Sequence, residues 1–167
     1  LISSEINLVG VTNYFFFKDG ELDEIREKIR EKGAEITVLG NLEFRIDQQN
    51  KDGEWINIHC IFSEELSTKK INDILSTLSF SNTTFDGKSI YCSQQSVADS
   101  QSTLSEMIVK FDSLIKHLNR NLKFGVDFLI AACPNGYGGF RPNMTEGRSY
   151  AVALEIEKKC QIILGRP

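Results

Sequence analysis

The spacing of apolar residues switches between two periods along the first 90 residues, and this switching restricts the fold more than any other feature. Residues 6–18 alternate loosely and are rich in Val, Ile, Phe and Tyr, which is typical of a strand. Residues 21–33 then carry Leu22, Ile25 and Ile29 at helical spacing with charged residues between them. The chain is therefore predicted to begin with a strand followed by a helix.

A second stretch of alternation covers residues 36–62. It is interrupted by the turn sequence Asn50-Lys51-Asp52-Gly53, which predicts a β-hairpin. A helix is predicted over residues 67–79 from its capping serine and amphipathic spacing, and a strand over residues 89–93. The order strand, helix, strand, strand, helix, strand matches the split ferredoxin-like pattern.

The second half predicts one more helix and three more strands. Thr103 and Glu106 have the spacing of a capping box, and the helix that they open is expected to end at residue 120. Residues 124–133 are almost continuously apolar, as in a strand that is covered on both faces. Two further strands are predicted at residues 149–156 and 161–164.

These elements predict one α+β domain over residues 1–167, with three helices on a mixed, largely antiparallel sheet. Of the 167 residues, 41% are hydrophobic, which is enough to bury a core. The Ser- and Gln-rich segment 93–103 is the place where an exposed linker or an internal boundary would fall. The sheet residues expected in the core are Phe44, Ile46, Ile58, Ile61, Leu129 and Ile130.

Charge is distributed unevenly along the chain. Residues 1–99 contain 10 Lys and Arg and 17 Asp and Glu, whereas residues 100–167 contain 9 and 6. An acidic first part argues against general DNA coating, because phosphate binding needs a basic face. The acidic first part suits a module that binds a basic protein partner. The charge pattern predicts no particular oligomeric state. No apolar run approaches the roughly 18 residues of a membrane-spanning helix.

The four cysteines are widely spaced and form no C-x-x-C pair. This spacing predicts no zinc site, no dithiol redox site and no bound cofactor. Most of the cysteines lie in apolar or strand-like surroundings, so we expect reduced, largely buried thiols and a cytoplasmic location. Cys133 follows a predicted strand and would act as a nucleophile only if His59 or His117 lay beside it.

The segment 134–143 combines three glycines, two aromatic residues and an arginine. Tyr137 and Phe140 offer stacking surfaces, while Arg141, together with Arg148, could hold an anion. These four residues are the candidate partner-binding or ligand-binding site. The alternative is a long connection in which glycines and prolines serve turn geometry, the aromatic residues pack on the core, and the arginines are solvated or paired.

Three classes of function follow from these features. The preferred one is a non-enzymatic binding module, such as an inhibitor, adaptor or immunity-type protein, with an acidic face and the glycine-rich loop as its binding surfaces. The second is binding of a nucleotide or single-stranded RNA at that loop. The third is a hydrolase that uses Cys133. No catalytic residues and no metal ligands are predicted for the preferred class.

Overall fold

A five-stranded sheet with helices packed on one face organises the chain. The structure is a computed structural model that describes residues 6–84, 86–134, 139–140 and 147–164, the side chains of the last range from residue 150. The strands are β1 (Leu8–Tyr14), β2 (Thr37–Gln49), β3 (Trp55–Phe62), β4 (Ser79–Thr83), β5 (Ser89–Tyr91), β6 (Phe128–Ala132) and β7 (Ile162–Ile163). The α-helices are α1 (Glu21–Glu31), α2 (Thr68–Leu75), α3 (Gln94–Ser100), α4 (Phe111–Asn121) and α5 (Gly147–Lys159), and Leu104–Glu106 forms a 3-10 turn, η1.

The strand order in the main sheet is β1-β2-β3-β6-β7. β1 runs parallel to β2, β3 is antiparallel to both β2 and β6, and β7 is parallel to β6. β4 and β5 form a separate antiparallel pair. The α+β class with a mostly antiparallel sheet is thus confirmed. The ferredoxin-like pattern is not found, because β5 pairs with β4 and does not join the main sheet.

Two glycines, Gly20 and Gly40, shape the contact between α1 and β2. Gly20 begins the helix with a φ of 73°, a left-handed conformation that glycine adopts without a steric penalty. Leu22 is then fully buried against the sheet. A Cβ atom at Gly40 would lie 2.9 Å from Leu22 Cδ1 and 3.1 Å from Phe17 Cζ. The helix therefore lies close to β2 because residue 40 has no side chain.

The core lies between the sheet and the helices. It is one cluster that includes residues from both sides of segment 93–103, such as Cys92 and Met107. Phe44, Ile46, Ile58 and Ile130 are fully buried in it, as predicted. Ile61 and Leu129 pair with each other across β3 and β6, and both are only half-buried. Their positions alternate with those of the core residues, so their side chains lie on the opposite face of the sheet.

Five α-helices are present in the described ranges instead of the predicted three. Segment 93–103, expected to be a linker, contains α3, whose first turn is capped by the Ser93 hydroxyl accepting a hydrogen bond from Ser96 N. Residues 149–156, predicted as a strand, belong to α5. Ala153 and Ile156 are buried three residues apart, which is a helical spacing that the alternation of this segment concealed.

The predicted helix over residues 103–120 begins later in the structure. Thr103 and Glu106 do form a capping box, but it closes only η1. Val109 then extends alongside β2, where its N donates to Arg45 O at 2.9 Å. α4 begins at Phe111, whose N donates to Asp47 Oδ1 at 2.9 Å. None of the described helices has the length and apolar character needed to cross a bilayer.

Candidate binding site

The face of the main sheet that points away from the helical layer carries an unusual number of polar side chains. Alternation along each strand places these residues opposite to the core residues. We call it the open face. Its members on the first three strands are Leu8, Gly10, Thr12 and Tyr14 from β1, Leu39, Asn41, Glu43 and Arg45 from β2, and Trp55, Asn57, His59 and Ile61 from β3.

Hydrogen bonds connect the polar residues of the open face across three strands. Asn41 Nδ2 donates to Thr12 Oγ1 at 2.9 Å, and Asn41 Oδ1 lies 3.2 Å from His59 Nδ1. Asn57 Nδ2 donates to Glu43 Oε1 at 2.7 Å. Strand register places Glu43 directly opposite His59. The network fixes the rotamers of side chains that would otherwise be mobile on an exposed sheet.

The environment of His59 favours its neutral form. Burial lowers the pKa of this imidazole below its usual value, and the neighbouring Glu43 carboxylate opposes that shift. The ring is therefore predominantly uncharged at neutral pH. Its hydrogen bond with Asn41 gives it a positioning role on the open face.

A cavity of about 160 Å³ lies at one end of the open face, where β1 ends and η1 approaches β2. Arg45 closes one side of it, because its Nη1 donates to Ser105 O at 2.6 Å and lies 3.4 Å from Leu104 O. The lining residues are Tyr14, Phe15, Glu43, Arg45, Asn57, Leu104 and Ser105.

Asn57 is the unusual member of this cavity. Its exposed fraction is 9%, and its Oδ1 is a buried atom without a hydrogen-bond partner. Its Nδ2 is already used by Glu43. Gln48 and Asn82 also carry unpartnered buried oxygens, but neither lines this cavity. A buried acceptor without a donor costs free energy, so a ligand that donates a hydrogen bond to Asn57 Oδ1 would be favoured in this cavity.

A strained backbone residue positions one wall of the cavity. Phe15 has a φ of 63°, and Phe16 N donates to Tyr14 O at 2.7 Å, so the three residues form a γ-turn. This conformation costs about 1–3 kcal/mol for a bulky residue. The Phe15 ring is buried against Phe44 and Phe80, at centroid distances of 5.8 and 4.9 Å, which offsets that cost. The turn leaves Tyr14 at the rim, 49% exposed.

The structure places only part of the site that the sequence predicted. Phe140 is 3% exposed and belongs to the core cluster, and its N donates to Cys133 O at 3.0 Å. It is therefore not a stacking surface, as the structural alternative for this loop expected. Tyr137 and Arg141 lie outside the described residues. Arg148 belongs to α5, but its side chain is outside the described part.

The cysteines are free, and two of them are buried. Burial raises the pKa of the Cys60 and Cys92 thiols and raises the pKa of Cys160 to about 11. Within the described chain, the histidine rings do not hydrogen-bond to Cys133: His59 contacts Asn41, and His117 Nε2 lies 2.6 Å from Ile74 O. The same residues contain no cluster of three or more His, Cys, Asp or Glu that could hold a metal ion.

Two larger hollows lie elsewhere on the described surface. One, of about 680 Å³, is an open depression between the β4–β5 turn and α3 and has mostly Ser, Thr and Gln along its walls. The other, of about 490 Å³, surrounds Arg26 and Arg30. Neither is lined by a buried polar atom without a partner. The smaller cavity at Asn57 is therefore the better candidate for a specific ligand.

No protein-family model matches the chain, and neither a curated protein nor a solved structure is significantly similar to it. The function is therefore inferred from the geometry of the site. Sequence reasoning did not identify Glu43 or Asn57 as site residues. The available signal was the series of polar residues at every second position of a predicted hairpin, which marks a sheet face without a helical layer.

Proposed function

We propose that the protein is a non-enzymatic binding module that holds a protein partner on its open face and accepts a lysine side chain of that partner in the cavity at Asn57. The observation that carries this proposal is the unpartnered, buried Oδ1 of Asn57 beside the Glu43 carboxylate. This proposal develops the preferred class from the sequence, a module with a basic partner.

The chemistry of the cavity favours a ligand that donates hydrogen bonds. Asn57 directs one N–H of its amide to Glu43, and its own Oδ1 remains as a buried acceptor for a ligand beside the carboxylate. A lysine ammonium has three donors and no acceptor, and its charge complements the carboxylate. The Arg45 guanidinium is held at the side of the cavity by the backbone oxygens of η1.

The size and rim of the cavity favour a protein over a free small molecule. Its volume of about 160 Å³ is below the roughly 300–1,000 Å³ of sites that enclose drug-sized ligands. It accommodates the end of one long side chain. Tyr14 and Leu104 at the rim are each 49% exposed, and Trp55 on the same face is 36% exposed. Aromatic residues around a small pocket are typical of the energetic centre of a protein interface.

The proposal is tested by NMR with a blocked Gly-Lys-Gly tripeptide as the probe and with the same peptide carrying acetyl-lysine as its control. Backbone resonances of Tyr14 and Ser105 and the side-chain amide of Asn57 report on the cavity. Glu43→Gln removes the carboxylate charge at the site. Glu35→Gln is the matched control, because it makes the same charge change at an exposed residue outside the cavity.

We expect the lysine peptide to shift the cavity resonances and the acetyl-lysine peptide to leave them unchanged. Glu43→Gln should weaken binding by about tenfold or more, which corresponds to about 1.4 kcal/mol, whereas Glu35→Gln should bind like the wild type. Equal effects of the two peptides, or equal binding by the two variants, would show that only the overall acidity attracts the probe and would refute the proposal.

A further inference from the structure

β1 is an edge strand of the main sheet, and among the described residues no strand pairs with the outer half of its backbone polar groups. Thr37 N donates to Asn7 O at 2.9 Å and Phe15 N to Glu43 O at 3.3 Å. These bonds set the alternation of the parallel pair, so the odd-numbered residues bond to β2. The N–H and C=O groups of Leu8, Gly10 and Thr12 and the N–H of Tyr14 therefore point away from the sheet, while Tyr14 O accepts from Phe16 N.

β1 itself lacks the charges, proline and bulge that keep many natural sheet edges from pairing. β1 has the sequence Leu-Val-Gly-Val-Thr-Asn-Tyr, which contains no charged residue and no proline. Its register with β2 is continuous over all seven residues, so no bulge twists the edge away. Leu8 and Tyr14, at its two ends, are 59% and 49% exposed. A seven-residue edge of this composition favours addition of another strand.

We propose that β1 pairs antiparallel with β1 of a second copy of this chain, about a two-fold axis at Val11, to form a ten-stranded sheet. In this register, a residue that precedes Val11 by a given number of positions lies opposite the residue that follows Val11 by the same number in the second copy. The residues whose backbone groups point away from β2 then pair with one another: Leu8 with Tyr14 and Gly10 with Thr12. The arrangement satisfies the N–H and C=O groups that β2 leaves free.

The sequence of β1 is self-complementary, which favours a second copy over an unrelated strand. Leu8 and Tyr14 are equally distant from Val11. The exposed Leu8 side chain of each copy therefore lies beside the Tyr14 side chain of the other copy, on the same face of the sheet. Because β1 has no charge, no like charges meet across the axis. The opposite edge, β7, has only two residues, so pairing through β1 closes a dimer and does not continue into a fibre.

The two-fold axis is perpendicular to the sheet, so both helical layers lie on one side and both open faces on the other. This dimer does not depend on the function proposed above, because the hydrogen-bonding edge of β1 is separate from the lysine-accepting groups of Glu43 and Asn57. A monomeric protein could still bind lysine, and a dimer could fail to bind it.

The oligomeric state of the full chain tests the proposal, measured by sedimentation equilibrium with the 18.9 kDa of one chain as the reference mass. In Thr12→Pro, the ring replaces an N–H that points away from the sheet, so β1 should keep its pairing with β2 but block a second copy. Thr12→Val is the matched control, because it also loses the side-chain oxygen but keeps the N–H. Circular dichroism checks that both variants are folded.

A charge-swap pair tests the register. The double variant Leu8→Lys/Tyr14→Lys places like charges opposite each other at both ends of the pairing, and Leu8→Glu/Tyr14→Glu does the same with negative charges. Both side chains are about half exposed or more, so these changes should leave the fold intact. Each variant should be monomeric alone, and an equal mixture should form a heterodimer.

We expect twice the monomer mass for the wild type and Thr12→Val, and the monomer mass for folded Thr12→Pro. A monomeric wild type at about 0.5 mM, where even millimolar association is detectable, would overturn the proposal. A dimer of unchanged affinity in Thr12→Pro would place the interface elsewhere. Failure of the two charge variants to associate when mixed would refute the Val11 register.

Discussion

Asn72 of α2 hydrogen-bonds through its side chain to both backbone polar groups of Phe17. Its Oδ1 accepts from Phe17 N at 3.1 Å, and its Nδ2 donates to Phe17 O at 2.9 Å. The amide thus pairs with the backbone as a neighbouring strand would, in the segment between β1 and α1. This contact holds the chain directly after the γ-turn that shapes the cavity.

Replacing Asn72 with Ala should therefore lower the free energy of unfolding by about 1–3 kcal/mol, because two partly buried backbone groups lose their partner. Urea denaturation measures the change. Asp73→Ala is the control, because this exposed neighbour pairs with Lys69 on the helix surface and should change stability by less than about 0.5 kcal/mol. Equal effects of the two substitutions would mean that the Asn72 contact does not stabilise the fold.

Arg26 should be more important for stability than an exposed arginine of the same helix. Its side chain is 12% exposed, and its guanidinium donates to Leu66 O at 2.7 Å and to Val38 O at 3.0 and 3.1 Å. Arg26→Met keeps the apolar stem but leaves these carbonyls without donors, and we expect a loss of about 2–4 kcal/mol. Arg30→Met, at an exposed position of α1, should have little effect in the same denaturation experiment. A similar loss in both variants would contradict this interpretation.

Two isoleucines of β3 should respond differently to truncation. Ile58 is fully buried in the core, whereas Ile61 is half-buried on the open face. Ile58→Ala should cost about 2–5 kcal/mol through lost burial and the cavity left behind. Ile61→Ala should cost clearly less, since its side chain is only half-buried and loses less burial on truncation. Equal shifts of the melting temperature would indicate that both faces of the sheet are covered.

His59 should make stability depend on pH. Burial lowers the pKa of this imidazole in the folded state, so the unfolded chain binds the proton more readily. Stability is therefore complete above about pH 6.5, the value for an unperturbed histidine, and falls as the pH decreases through that value. His59→Gln should reduce the loss of stability between pH 7.5 and 5.5, measured from urea midpoints. An unchanged pH dependence in the variant would show that His59 is not the group responsible.

Local sequence patterns predicted much of the fold but little of the site. Ile58 and Ile61 illustrate the reason: they are three positions apart and so face opposite sides of β3, but both belong to one apolar run that does not show which side carries the helices. The α5 segment was predicted as a strand, because the alternation over residues 149–156 conceals the helical spacing of Ala153 and Ile156. Glu43 and Asn57 are 14 positions apart and come together only through the β2–β3 register. A single sequence does not encode such pairings locally.

The glycine at position 40 couples two distant parts of the chain. Any side chain there would meet Leu22 and Phe17, one from α1 and one from the segment before it. The close approach of α1 to β2 therefore requires residue 40 to lack a side chain, and the Cβ of an alanine there would force Leu22 or Phe17 to move. A variant with Ala at position 40 should become tolerable only when Leu22 or Phe17 becomes smaller as well, so these three positions form a single unit of steric compensation.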